Sequence, residues 1–84
     1  MRIYLVEAYV PNARVREARS AGHRASAAAG QLSREGIAIR YVRTTFLPDD
    51  ETCFHVFEAA SEEIVEEVCR HAGLGSLRIV EAVE

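Results

Sequence analysis

Residues 37–58 read IAIRYVRTTF, LPDDE and TCFHVFE in succession, and this stretch decides the fold. Two runs rich in β-branched and aromatic residues flank a short segment holding Pro48 and the acids Asp49, Asp50 and Glu51. The pattern predicts two antiparallel strands, 37–46 and 52–58, joined by a tight turn. Setting Phe46 opposite Thr52 places Arg43 opposite His55, Tyr41 opposite Phe57 and Arg40 opposite Glu58. A slip of one residue would exchange every partner.

Working outward, residues 13–35 predict one helix. Ala18, Gly22, Ala25, Ala29 and Leu32 recur at spacings of three and four, one stripe of a 3.6-residue period, and Gly36 stands as its C-terminal stop. The stripe is built of small residues, so this helix can lie close to a sheet but gains little apolar area per residue. After the hairpin, Ser61 caps a second helix with Glu62 and Glu63 in its first turn. Ile64, Val65, Val68 and Ala72 form its apolar stripe, and Arg70 and His71 precede Gly73 at its end. Strands at 2–10 (RIYLVEAYV) and 77–83 (LRIVEAV) complete the chain. The order β-α-β-β-α-β is the split βαβ arrangement. It predicts an α+β, ferredoxin-like sandwich, a four-stranded antiparallel sheet with both helices on one face, in a single domain covering residues 1–84.

In the first strand Tyr4, Val6, Ala8 and Val10 share one face, and Ile3, Leu5, Glu7 and Tyr9 the other. A strand solvated on one side alternates apolar with polar; here both sides are apolar apart from Glu7. The sheet face left bare by the helices is therefore expected to meet a second copy, giving a homodimer packed sheet against sheet. Small size points the same way, since a chain this short buries only about 60–65% of its unfolded surface. Two cysteines, Cys53 and Cys69, make no disulfide framework. Thirteen acids against 10 bases give a net charge of −3, which lacks the basic footprint of a nucleic-acid binder. No run approaches the roughly 20 apolar residues of a membrane span, and the opening residues lack a signal-peptide pattern. The expectation is a cytoplasmic protein with reduced thiols and neither nucleic acid nor membrane as partner.

Cys53 and His55 stand two apart on one strand and so share a face. Thiol and imidazole both suit zinc, nickel or copper, but two donors alone do not define a site. The plainer reading is a buried cysteine beside a hydrogen-bonded histidine. His23 sits at the edge of the first helix's apolar stripe, and His71 is explained by the helix dipole. Glu7 and Glu58 interrupt apolar strands that this fold makes central. They are costly there unless paired or metal-bound, with Arg40 and Arg43 as the candidate counterions and Glu81 as a possible third member. No nucleophile has both a base and an orienting group in view, and Gly73-Leu74-Gly75 follows a helix rather than opening one, unlike a phosphate loop. Phe54 or Phe57 could imitate an RNA-stacking aromatic, but the neighbouring acids oppose that use.

Tyr4-Leu5-Val6-Glu7, the Gly36–Tyr41 run into the hairpin, CFHVFEA at 53–59, and His71-Ala72-Gly73-Leu74 with Leu77-Arg78-Ile79 carry a resemblance. Together they resemble a family of small bacterial proteins of unassigned function that includes a nickel-binding member from an actinobacterium. The likeness spans almost the whole chain; His55 is this chain's own feature within the CFHVFEA segment. The resemblance implies a ferredoxin-like fold, self-association and a divalent transition metal, nickel foremost. On that basis His23 and His55 are the favoured ligands, supported by Glu7 or Glu58. Imidazole suits nickel, and carboxylate and water can complete an octahedral shell. Two other readings stay open. One is a small-molecule enzyme of lyase, isomerase or oxygenase type using a cavity between sheet and helices; the other is an interaction module without ligand.

Overall fold

A computed structural model describes residues 1–75 and 78–83. Strand β1 runs Arg2–Tyr9, a 3₁₀ turn occupies Asn12–Arg14, and helix α1 runs Val15–Arg34. Strands β2 (Ile39–Leu47) and β3 (Thr52–Ala59) form the hairpin, followed by α2 (Glu62–Ala72) and β4 (Arg78–Ala82). The sheet order is β2-β3-β1-β4, with antiparallel pairing throughout, the ferredoxin-like α+β arrangement expected from the element order. Leu77, placed by the sequence reading in the last strand, lies outside the described residues.

The periodicity of α1 becomes its packing face. Ala18, Gly22, Ala25, Ala29 and Leu32 are all buried, with Ala28 beside them. Glu35 and Ile37 close the helix end by donating backbone N–H groups to the last carbonyls, which otherwise lack partners. In α2, Val65, Val68, Cys69 and Ala72 are buried, and Gly73 takes φ 66° so that the Gly73 and Leu74 N–H groups reach the carbonyls of Arg70 and Cys69. That left-handed cap favours glycine. The core between helices and sheet gathers Tyr4, Val6, Ile39, Phe57 and Ala59 with both helix stripes.

The hairpin register is split. Near the open end Tyr41 faces Phe57 and Arg40 faces Glu58, as the sequence predicts. A bulge at Val42 then shifts the strand by one, so Thr44 faces His55, Arg43 faces Val56 and Phe46 faces Cys53. The expected pairs Arg43–His55 and Phe46–Thr52 are thereby corrected. An extra residue in one strand changes the face of everything beyond it, and here it sends Arg43 to the open face and Thr44 inward.

On the open face Leu5 lies between Val56 and Val80, and Ile3 between Glu58 and Ala82. Glu58 accepts two hydrogen bonds from the Arg40 guanidinium. Glu7 is held by Arg78 at 3.2 Å, a strand β4 partner rather than Arg40 or Arg43. Glu81 stands opposite Tyr4, on the helix side, and pairs at 4.0 Å with Arg2, so it does not join Glu7 and Glu58. Among the described residues no helix is long and apolar enough to cross a membrane.

Candidate functional site

His55 is the only polar or charged residue among the described ones that is buried, at 1% exposure. Strand alternation in β3 points it with Cys53 and Phe57 toward the helices, opposite Val6 of β1. The bulge brings Thr44 level with it, and Thr44 Oγ1 shares a 2.7 Å hydrogen bond with Nδ1. The same hydroxyl shares a 2.6 Å bond with the Tyr41 hydroxyl, and the Tyr41 ring meets Phe57 edge to face with centroids 5.7 Å apart. On the other side of the ring, Nε2 lies 3.8 Å from the Cys53 thiol. A chain of polar groups, Tyr41–Thr44–His55–Cys53, therefore runs between α1 and the sheet. Nothing larger than glycine fits above it: a Cβ on Gly22 would come 2.8 Å from Thr44 Oγ1 and 3.3 Å from the Tyr41 hydroxyl.

Burial, and secondarily the positive Arg24, hold the His55 imidazole below its usual pKa of 6.5. The ring is neutral at pH 7, the form that can ligate a metal. Burial pushes the Cys53 thiol up. It pushes the Cys69 thiol up to about 11, with Glu66 adding to the effect. Both cysteines are free and buried, so neither has the exposed, stabilised thiolate of a reactive cysteine.

Of the cavities that α1 lines among the described residues, two adjoin this polar chain. One, of about 480 Å³, lies between the end of β1, α1 and the segment after α2; His55 forms part of its wall with Ser20, Arg24 and Leu74. The other, of about 320 Å³, lies between α1 and β2 and is lined by His23, Gly22, Tyr41 and Thr44. Thr44, which bonds His55, thus also lines the cavity that His23 lines, with His23 exposed. Glu7 and Glu58 are on the opposite face of the sheet from His55. One chain does not bring His23, His55, Glu7 and Glu58 to a common point, and among the described residues no three metal-ligating side chains converge. His71 bonds Glu67 at 3.0 Å on the surface of α2.

Sequence reasoning missed Thr44, Tyr41, Ser20 and Arg24 as members of this region. Ser20 and Arg24 carried a usable signal, since their spacing of four puts them side by side on one helix. Thr44 carried none, because its inward position depends on the bulge.

A family model described as "Nickel responsive protein SCO4226-like" matches residues 4–82. The chain belongs to the SCO4226-like family. The match runs from Tyr4 to Ala82, so this SCO4226-like chain carries His55, its polar chain and both sheet faces inside the family region. Neither a curated protein nor a solved structure matches it.

Proposed function

We propose that this SCO4226-like chain binds a divalent transition-metal ion, nickel being the ion in its family's name, and works as a homodimer. The observation that carries the metal reading is the buried imidazole of His55 with a thiol 3.8 Å from its Nε2, beside a cavity that reaches the ring. Imidazole and thiol are donors that nickel, zinc and copper accept. His55 is the central ligand and Cys53 the second. The Cys53 thiol must lose its proton to ligate, so binding releases protons and weakens as pH falls. Water entering through the cavity supplies further positions. His23, Glu7 and Glu58, lying apart from His55, are peripheral to this centre. The bound ion would supply Lewis acidity or simple occupancy-dependent stability; this chain's own residues hold the ring, through Thr44, at a fixed orientation.

Isothermal titration of metal-stripped protein with nickel and zinc tests the reading. Binding tighter than about 1 mM, abolished by His55→Ala, weakened by Cys53→Ser and kept by His23→Ala, is expected. Wild-type binding no tighter than that, or full affinity in His55→Ala, overturns it. The homodimer is supported by the half-buried Ile3, Leu5, Val80 and Ala82 on the uncovered sheet face, which a second sheet would cover.

A further inference from the structure

We infer that the larger cavity, between β1, α1 and the segment after α2, is a binding site for a short organic monocarboxylate, with Arg24 and Ser20 holding the carboxylate and His55 at its inner wall. The volume of about 480 Å³ falls in the range of roughly 300–1,000 Å³ typical of small-ligand sites. Its chemistry is divided as such sites require. Val10, Ala21 and Leu74 give an apolar side, while Ser20, Arg24 and His55 give a few polar groups.

Arg24 is tethered rather than free to sweep through solvent. Its Nε donates to the Ala72 carbonyl at 2.9 Å, capping the C-terminal end of α2. Its Nη1 donates to Ser20 Oγ at 3.3 Å. Among the described residues no acid pairs with this guanidinium, and its remaining N–H groups have the fork geometry that suits a carboxylate. The Ser20 hydroxyl accepts from Arg24 and keeps its own proton to donate to a second carboxylate oxygen.

The charge of the wall sets the ligand's charge. Glu17 also lines the cavity and is engaged by Arg14 at 3.3 Å. One guanidinium set against one carboxylate favours a single negative charge over a dianion such as phosphate. At the inner wall His55 offers a polar ring edge to the far part of the ligand. The aliphatic part lies against Val10, Ala21 and Leu74. This inference goes beyond the metal reading and does not depend on it.

The test is an NMR titration of the metal-free protein, in the presence of chelator, with butyrate and with butyramide as the uncharged control. Butyrate is expected to shift the Ser20, Arg24 and His55 amides saturably with a Kd below about 10 mM. Butyramide is expected to bind about ten-fold or more weakly, and Arg24→Gln to remove the difference, the loss of a charge-assisted pair. Should Arg24→Gln fail to fold, Arg24→Lys keeps the charge but lacks the fork, and a weaker butyrate response is expected of it. Shifts that do not saturate by about 50 mM, that match those of butyramide, or that persist unchanged in the folded Arg24 variant overturn the inference. Chelator keeps the outcome separate from nickel affinity, so either reading can fail alone.

Discussion

The two ring nitrogens of His55 live in different environments. Nδ1 is fixed by the Thr44 hydroxyl at 2.7 Å, whereas Nε2 has only a thiol at 3.8 Å. Thr44→Val keeps the shape and removes the hydroxyl, leaving a buried nitrogen and the Tyr41 hydroxyl short of a partner. Urea melts are expected to show a loss of about 1–3 kcal/mol, and nitrogen-15 spectra of the imidazole a changed tautomer balance. The ring also sets a pH dependence. Its folded pKa lies below the ordinary 6.5, first from burial and then from Arg24. Above that pH neither folded nor unfolded chain protonates the ring, and its contribution is complete. As pH falls below 6.5 the unfolded chain takes up the proton first, so stability declines until the folded pKa is reached. Melts of wild type and His55→Gln between about pH 8 and 5 are expected to converge toward acid. A constant gap between them would remove His55 from the acid limb.

At the scale of elements, α1 sits against β2 because its stripe is small, and its two inner glycines do unlike work. Gly22 faces the stiff, β-branched Thr44, whose Oγ1 would be 2.8 Å from an added Cβ. Gly30 would meet only the flexible end of Arg34, at 3.5 Å. Alanine gains about 1 kcal/mol over glycine in a helix interior, so Gly30→Ala is expected to raise stability by up to that amount. Gly22→Ala is expected to lower it by about 1–3 kcal/mol, the cost of overpacking, and to shift the His55 resonances. Denaturant melts of the two variants side by side check this. The stripe itself was readable in sequence, since Ala18, Gly22, Ala25, Ala29 and Leu32 form one helical period and all are buried. The hairpin was readable only to its bulge. Tyr41 and Val42 are neighbouring apolar residues, and either can point inward, so no alternation marks where the register changes. That one ambiguity hid Thr44, and with it the anchoring of His55.

At the scale of the whole molecule, the sheet has one face filled by helices and one face of apolar residues edged by ion pairs. Leu5, Val56 and Val80 cross the middle of the open face. Glu7–Arg78 lies toward one end of β1, and Glu58–Arg40 toward the other. In a sheet-to-sheet pair with its two-fold axis near Leu5, the apolar middles of the two open faces would meet. An isologous dimer of the kind proposed uses the same patch on both copies. The two-sided apolar pattern of β1 was legible in the sequence; which arginine neutralised Glu7 was not, because the β1–β4 register is a long-range choice that local spacing does not encode. These ion pairs are partly exposed, with Arg40 at 61% and Glu58 at 29% side-chain exposure. Glu58→Ala is therefore expected to cost only about 0.5–1 kcal/mol in the monomer. The sharper test places a charge at the centre. Leu5→Asp puts a carboxylate where two sheets would pack, and a buried unpaired charge is prohibitive there. In a separate chain the same side chain keeps access to water beside Val56 and Val80. Sedimentation equilibrium is expected to give a dimer mass for wild type and a monomer mass for Leu5→Asp, with circular dichroism showing the same secondary structure in both. A wild-type monomer at every concentration, or a Leu5→Asp protein that remains dimeric, would move the contact off this face.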